Sequence, residues 1–337
     1  MSNRQITIAV DAMGGENSPF KILKGSEIFL MNNKNVNLLF FGKSQQIKDI
    51  IKLNKLNLSN YDIVDCNDNV SDEDKPNTIL RSRKDSSIYK GLKFVKDNPN
   101  SGFVSAGNTA ALMILSRLIL GMIPGVDRPA ICSDIPNKKS FSLMLDLGAN
   151  VLVDASHLFQ FALMGYSYFS IIDPKRIPKI GIINIGTENN KGLEFLQEAN
   201  DILSNSFLKH NFVGFVEPNN ITSGDCDIIL SDGYTGNIIL KTAEGLSSFI
   251  TNNLKNVFNK SLKNKLSYKI IESDLKIFRD QINPDKYNGA SLIGVNGISI
   301  KSHGNASPYA FSYALDKCYN LIKNNFNMQI RNNLTRL

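Results

Sequence analysis

Short apolar runs alternate with longer runs of mixed polarity along most of the chain. The first apolar run covers residues 6–10, and similar runs cover residues 36–41 and 180–185. Between them, apolar residues recur at helical spacing, as over residues 155–168. Strand-like and helix-like segments in alternation are typical of a parallel sheet with helices on both faces. We therefore predict an α/β fold with a doubly wound, mostly parallel sheet.

Two segments depart from this alternation and predict antiparallel pairs. Residues 129–135 and 141–145 are joined by a short polar turn, so they can pair directly. Residues 291–295 and 298–300 flank Asn296-Gly297, a dipeptide that favours a two-residue hairpin turn. We predict an antiparallel pair at each of these two places.

A glycine-containing turn near the middle of the chain shows the chemistry that the other turns repeat. Residues 103–106 predict a buried strand, and residues 110–120, apolar nearly all round, predict a buried helix. A strand that enters a helix through Gly107 presents backbone N–H groups and the positive end of the helix dipole. This arrangement favours an anion, although the same residues also suit an ordinary turn.

Five further apolar runs end in glycine and small polar residues. Ligands of such sheets bind outside the carboxyl ends of the strands, so we expect these turns to form one donor-rich cleft for phosphate or another oxyanion. The predicted substrate-binding residues are Asp11, Gly14, Gly15, Ser105, Gly107, Asn108, Thr109, Asp146, Asn150, Asn184, Gly186, Asp232, Gly233, Thr235 and His303.

The amino-acid composition argues against several classes of protein. The chain has 337 residues, a formal charge of +7 and four dispersed cysteines without a CxxC pair, so we expect a cytoplasmic protein with reduced thiols and no zinc site. No signal peptide and no apolar run of about 20 residues is found. Nucleotide fingerprints and clustered histidines are missing, which predicts no cofactor and no metal. Tryptophan is absent and aromatics do not alternate with basic residues, so we expect no nucleic acid partner.

Taken together, the turns resemble the PlsX-type phosphate acyltransferase family of bacterial phospholipid synthesis. The motifs that carry the resemblance follow the family's order over nearly the whole chain, and they are residues 11–15, 105–109, 128–130, 145–150, 184–186 with 191–192, 232–237 and 303–304. Glu16 and Ala110 stand where the family usually has Asp and Gly.

The resemblance implies an enzyme that transfers a fatty acyl group from acyl-ACP to inorganic phosphate, releasing holo-ACP. It also implies a fold like that of isopropylmalate dehydrogenase, a homodimer, and use of the acyl phosphate by a membrane glycerol-3-phosphate acyltransferase. By resemblance, Lys191 faces the phosphate or the oxyanion, and Asn237 orients the thioester. Phosphate is already an anionic nucleophile, so positioning and oxyanion donors suffice for catalysis.

A basic, apolar segment interrupts the alternation late in the chain. Residues 247–284 predict amphipathic helices within an otherwise single unit that spans residues 1–337. Three interpretations remain open: burial against a dimer partner, steering of the acidic ACP, and peripheral contact with anionic lipid on the inner face of the membrane. The lysines predicted to contact ACP or lipid are Lys255, Lys260, Lys263, Lys265 and Lys269.

Rival functions also remain open. A phosphotransacetylase-like enzyme acting on acyl-CoA would need similar turns. A metal- and NAD-dependent decarboxylating dehydrogenase would need clustered arginines, for which Arg81, Arg83, Arg117 and Arg128 are available. A scaffold that binds acidic proteins or lipid would need only the basic segment.

Overall fold

The computed structural model of the chain describes residues 5–68, 70, 74, 79, 82–282 and 284–335. It contains one sheet, whose strands are β1 (Ile6–Asp11), β2 (Val36–Gly42), β3 (Tyr61–Asp65), β4 (Ser101–Ser105), β5 (Ala130–Pro136), β6 (Phe141–Leu145), β7 (Ile180–Ile183), β8 (Phe212–Val216), β9 (Ile228–Leu230), β10 (Ala290–Ile293) and β11 (Ile298–Lys301).

Helices of very different length connect the strands. They are α1 (Phe20–Asn32), α2 (Ser44–Leu53), α3 (Ser87–Asp97), α4 (Thr109–Leu120), α5 (Ala155–Ile172), α6 (Glu194–Asn205), α7 (Gly233–Asn259), α8 (Leu262–Ile270), α9 (Glu272–Ile282), α10 (Pro308–Lys323) and α11 (Phe326–Leu334), with short 3₁₀ turns at Pro218–Ser223 and Pro284–Tyr287.

The strand order is β3-β2-β1-β4-β11-β10-β5-β6-β9-β7-β8. Most neighbouring strands are parallel, which confirms the predicted mostly parallel α/β sheet. The two predicted antiparallel pairs are also present, as β5–β6 and β10–β11. A third antiparallel ladder, between β10 and β5, joins them in the middle of the sheet.

This central region reverses the direction of the strands. Between β11 and β6 the sheet passes three antiparallel ladders, and an odd number of reversals leaves the two ends opposed. Strands β1, β4 and β11 therefore run one way, and strands β6, β9 and β7 run the other way. The expectation that all six turns share one sheet edge is wrong for this reason.

The core follows the period of two along the strands. In β1, Ile8 and Val10 belong to the same core cluster as apolar residues of α1 and α10, and Ala9 belongs to a second cluster with residues of α3 and α4 on the other face. Because both faces are covered by helices, most strand residues in the sheet are buried, as a doubly wound sheet requires.

Helices α7, α8 and α9 differ from the rest because they bury little. The buried residues of α7 are Gly233 and Gly236, both in its first turn, and α8 has no buried residue. Exposed apolar side chains include Leu246, Phe249 and Leu266. Across the described residues, no helix combines the length and the apolar character that crossing a bilayer requires. The domain division at residue 247 stays a prediction, since α7 runs through that point and residue 283 lies outside the described residues.

Candidate active site

The first group of predicted site residues lies where β1, β4 and β11 end. The register places Val10 beside Val104 and Lys301 beside Ser105, so the turns that follow these strands are level. They enclose a cavity of about 520 Å³. Of the predicted residues, those that line it are Asp11, Gly14, Gly15, Gly107, Asn108 and Thr109.

Close packing of the backbone makes this cavity possible. A Cβ atom on Gly14 would lie 2.5 Å from the amide nitrogen of Gly107, and Gly15 has a φ of +80°. The hydroxyl of Ser105 donates to Oδ2 of Asp11 at 2.6 Å, and its oxygen accepts from the Gly107 amide at 3.0 Å. Ser105 is fully buried, and its hydroxyl connects the turn after β1 to the turn after β4.

Asp11 is a buried carboxylate at the end of β1. Burial raises its pKa, and the hydrogen bonds from Ser105, Ser87 and the Met13 and Gly14 amides oppose this rise. The charged form of this buried carboxylate therefore costs folding free energy, and its hydrogen bonds offset part of that cost.

Helix α4 begins directly above the cavity. The side chain of Asn108 caps the helix by accepting from the Ala111 amide at 2.7 Å, and Thr109, the first helical residue, is exposed. The capping bond satisfies one amide, while the dipole and the remaining first-turn amides still favour an anion. Anion binding at this helix start stays a prediction.

Eight residues of the cavity wall were not among the predicted binding residues, and they include Glu16, Ser87, Lys301 and Gly304. Lys301 is the last residue of β11, so its position beside the turn at His303 was a signal that could have identified it. Behind the wall, the buried ammonium of Lys21 donates to the carbonyl of Gly304, and burial lowers the pKa of this lysine.

The second group of predicted residues follows β6, β9 and β7, which are adjacent in the sheet. Asp146 is fully buried and accepts hydrogen bonds from the amides of Ile131, Gly148, Ala149 and Asn150. Burial raises its pKa, and these bonds act in the opposite direction. Because both carboxylate oxygens are occupied, Asp146 organises the turn.

Asn150 and Asp232 are likewise occupied by structural bonds. The Asn150 amide donates to the Pro129 carbonyl at 2.7 Å and to Asp146 at 2.9 Å. Asp232 caps α7, accepting from the amide of Thr235 at 2.8 Å and from its hydroxyl at 2.7 Å. The Gly233 amide donates to the Asn150 carbonyl at 2.8 Å, so these turns form one connected network.

The loop after β7 carries Lys191. The Asn184 amide donates to the Lys191 carbonyl at 3.0 Å, which closes the loop over residues 184–191. The Lys191 side chain packs beside Gly186, and it is exposed. Asn237 lies next to Gly148 on the first turns of α7 and is exposed as well. Within the described part of the chain, neither the Lys191 ammonium nor the Asn237 amide makes a hydrogen bond.

Helix α7 connects the two groups. It begins at the second group, and Oε1 of Glu244 lies 3.5 Å from Nε2 of His303 in the first group. From Asp232 to Glu244 the helix advances about 18 Å at 1.5 Å per residue. Asn237 and Glu244 are seven residues apart and therefore share one face of the helix. Glu244 was not predicted as a site residue, although its spacing from Asn237 is visible in the sequence.

The remaining predicted residues lie elsewhere. The five lysines assigned to ACP or lipid are exposed on α7, α8 and the short segment between them. Of the arginines that a dehydrogenase would need, Arg128 donates to the Leu152 carbonyl at 2.8 Å, Arg83 pairs with Asp74 at 3.5 Å, and Arg81 is outside the described residues. Among the described side chains, no cluster of three metal-binding residues occurs.

Proteins with similar sequences share one name, and one family profile matches most of the chain. The profile of a family described as "Fatty acid synthesis protein" matches residues 6–329. Proteins named "Phosphate acyltransferase" from Pelagibacter ubique and Clostridium tetani are each 38% identical over 330 residues, covering 98% of this chain and 98% of the relative. A protein of the same name from Methylococcus capsulatus is 39% identical over 310 residues, covering 92% of this chain and 91% of its own.

Solved structures share the fold. A phosphotransacetylase from Streptococcus pyogenes superposes with a TM-score of 0.65 at 15% identity, covering 96% of this chain and 95% of its own. A branched-chain phosphotransacylase from Enterococcus faecalis gives a TM-score of 0.58 at 11% identity, covering 94% of this chain and 99% of its own.

Proposed function

Because this chain belongs to the fatty acid synthesis protein family and is a phosphate acyltransferase of lipid biosynthesis, we propose that it takes a fatty acyl group from acyl-ACP and joins it to inorganic phosphate. The single observation that supports a site for this reaction is that some polar side chains in these turns are hydrogen-bonded within the protein and others are not. Asp146, Asn150 and Asp232 are used by the fold, whereas Lys191 and Asn237 present polar groups to solvent beside the same turns.

The reaction has few requirements. A phosphate oxygen attacks the thioester carbonyl carbon, the carbonyl oxygen becomes an oxyanion, and the carbon–sulfur bond then breaks to release the ACP thiol. In our proposal the Lys191 ammonium stabilises the negative charge, and the Asn237 amide donates to the carbonyl oxygen. The first turn of α4 and the backbone around Gly107 hold an anionic part of the substrates.

The basic helices support a proposal about partners. Lys255, Lys260, Lys263, Lys265 and Lys269 are exposed next to exposed apolar side chains such as Leu262 and Leu266. A positive surface would steer the acidic ACP, and the apolar side chains would contact anionic lipid or a second copy of the chain. A homodimer and peripheral contact with the membrane enzyme that uses the product are parts of this proposal.

The activity is tested by incubating the protein with palmitoyl-ACP and phosphate and trapping acyl phosphate with hydroxylamine. We expect hydroxamate without ATP, NAD or added metal. Lys191→Met and Asn237→Leu are each expected to lower kcat at least ~100-fold, the typical effect of removing an oxyanion donor.

Two controls make this test specific. Lys209→Met, at an exposed lysine between α6 and β8, should keep full activity. Palmitoyl-CoA replaces palmitoyl-ACP in a parallel reaction, and faster turnover of the CoA thioester would favour the alternative donor. Full turnover by both Lys191→Met and Asn237→Leu would refute the proposed site.

A further inference from the structure

Glu244 and His303 form an unusual contact between α7 and the turn after β11. Oε1 of Glu244 is shielded from solvent and has no hydrogen-bond partner among the described residues. It lies 3.5 Å from Nε2 of His303, slightly too far for a hydrogen bond. The other oxygen of Glu244 accepts from the Lys241 ammonium at 2.8 Å. A buried carboxylate oxygen without a donor is costly, so this contact calls for an explanation.

The backbone of His303 is fixed, while its ring is half exposed. The His303 amide donates to Oδ1 of Asn288 at 3.0 Å, and Asn288 is itself buried and bonded to Ser302 and the Ala310 carbonyl. The exposed fraction of the His303 side chain is 50%. Within the described residues Nδ1 of the ring makes no hydrogen bond, so this nitrogen can exchange a proton.

The ring is positioned between the two groups of turns. Gly304, the next residue, lines the 520 Å³ cavity, and Glu244 lies two helical turns beyond Asn237 on the same face of α7. The distance along the helix from Asn237 to Glu244 is about 10 Å. A ring that lies beside α7 and next to the cavity wall is placed close to both groups of turns.

The proposed reaction leaves one proton to be moved. Monohydrogen phosphate attacks the thioester, the new C–O bond forms as the C–S bond breaks, and the products are an acyl phosphate dianion and a thiol. The phosphate hydroxyl therefore loses the proton that the departing thiolate gains, and no other reactant is needed.

We propose that His303 carries this proton, with Nδ1 accepting it from phosphate and returning it to the thiolate sulfur, while Glu244 positions the ring and stabilises the imidazolium that forms in between. The inference rests on the proposed function. It resembles the general division of labour in which a carboxylate orients one ring nitrogen and the other exchanges protons. Catalytic hydrogen bonds are often long before substrates bind, so closure of the 3.5 Å gap is expected in the complex.

The charges around the ring give the relay a testable pH dependence. Burial is the main cause that lowers the pKa of His303, Glu244 and Asp285 raise it, and Lys301 and Lys241 lower it. The ring must be neutral to accept a proton, so turnover should fall as the pH falls through this pKa.

The acid limb of the pH–rate profile is the range in which turnover falls as the pH falls. Substitutions of Glu244 and Lys241, which are bonded to each other, should move this acid limb in opposite directions. Glu244→Gln removes a negative charge and should shift the limb to lower pH, whereas Lys241→Met removes a positive charge and should shift it to higher pH. Each shift is expected to be roughly half a pH unit, the effect of one nearby charge in a solvent-exposed setting. A purely structural contact would give shifts of the same sign or none, since both changes break the Lys241–Glu244 bond.

His303→Gln completes the experiment because a glutamine amide can donate a hydrogen bond to Glu244 but cannot exchange protons. We expect kcat to fall about 100-fold with KM values within about twofold of wild type. Proton NMR provides a readout besides turnover: the chain has three histidines, so the ring signal lost in His303→Gln identifies His303, and its pKa should move with Glu244→Gln and Lys241→Met as the kinetics do.

The possible results distinguish failure of the proton relay from failure of the proposed function. An active wild type in which His303→Gln keeps kcat within twofold, or in which the two charge variants shift the limb in the same direction, overturns the relay alone. A wild type that forms no acyl phosphate from palmitoyl-ACP at any pH overturns the proposed function and the relay together.

Discussion

At the scale of single residues, the predicted site contains side chains that the fold holds in hydrogen bonds and side chains that stay exposed. Both oxygens of Asp146 accept backbone amides, and Ser105 donates to Asp11. By contrast, the polar ends of Lys191 and Asn237 are exposed. Residue type alone does not distinguish these roles, because an aspartate in a turn can cap a helix, order a loop or bind a ligand.

Asp11 should limit stability at neutral pH. Burial is the main cause that raises its pKa, so the folded state binds its proton more tightly than the unfolded state does. Stability from this group is therefore fully present below the ordinary aspartate pKa and is lost as the pH rises through the raised one. Asp11→Asn should raise the free energy of unfolding at pH 7 by about 1 kcal/mol, and urea unfolding from pH 4 to pH 8 measures this difference.

The matched control is Asp316→Asn in α10. Asp316 is a partly buried carboxylate that accepts from the Asn33 amide, burial raises its pKa, and it does not line the cavity. Asp316→Asn should also stabilise the protein, but only Asp11→Asn should lower turnover. Equal activity of the two variants would show that Asp11 is a structural residue.

At the scale of elements, the loop between β7 and α6 is held in place by a contact that tolerates no side chain. Gly192 has a φ of +83°, and a Cβ atom there would lie 2.0 Å from Oδ1 of Asn184. The Asn184 side chain could not stay in its position, and its bond to the Lys191 carbonyl would be lost.

Gly192→Ala should therefore misplace Lys191 in a folded protein. We expect kcat to fall at least tenfold and the free energy of unfolding to fall by about 1–2 kcal/mol, measured by hydroxamate formation and urea unfolding.

Gly214→Ala provides the comparison, because Gly214 has a similar φ of +85° but no atom lies within 4 Å of the position that a Cβ would occupy there. This variant should lose similar conformational stability and keep its activity. A Gly192→Ala enzyme as active as Gly214→Ala would mean that the loop does not position a catalytic group.

At the scale of the whole molecule, the strands reverse direction at the centre of the sheet, and helix α7 extends from one group of turns to the other. The turns after β1, β4 and β11 form one side, and those after β6, β9 and β7 form the other. Helix α7 starts at one side, contacts His303 at the other, and continues outward with its basic, apolar end exposed. Asn237 of the proposed site and Lys255 of the proposed partner surface thus lie on the same helix.

The charge of the molecule should affect how fast acyl-ACP arrives. Neutralising Lys260, Lys263 and Lys265 together to glutamine should lower kcat/KM for palmitoyl-ACP several-fold at low salt and reduce its salt dependence, with kcat unchanged, since steering acts on association. Stopped-flow or steady-state kinetics between about 20 and 300 mM NaCl, roughly a fourfold range of Debye length, provide the measurement.

The control is the same change at Lys48, Lys52 and Lys55, which are exposed at α2. Unchanged salt dependence in the first variant, together with unchanged binding to anionic vesicles, would favour burial of these helices against another copy of the chain.

Local structure could be predicted from the order of amino acids, and so could part of the lining of the cavity. The strands, the two antiparallel pairs, the turn at Gly107 and the first turn of α7 all follow from periodicity, glycine positions and capping residues, which are properties of neighbours in the chain. The family resemblance added Lys191 and Asn237, which local pattern alone could not have selected.

The order of the strands in the sheet and the contacts between distant segments were decided by the tertiary structure. The third antiparallel ladder, between β10 and β5, joins segments far apart in the chain and divides the turns into two groups. The saturation of Asp146 and the contact of Glu244 with His303 likewise join distant segments. Such pairings depend on how helices and strands pack, and no local sequence pattern records them.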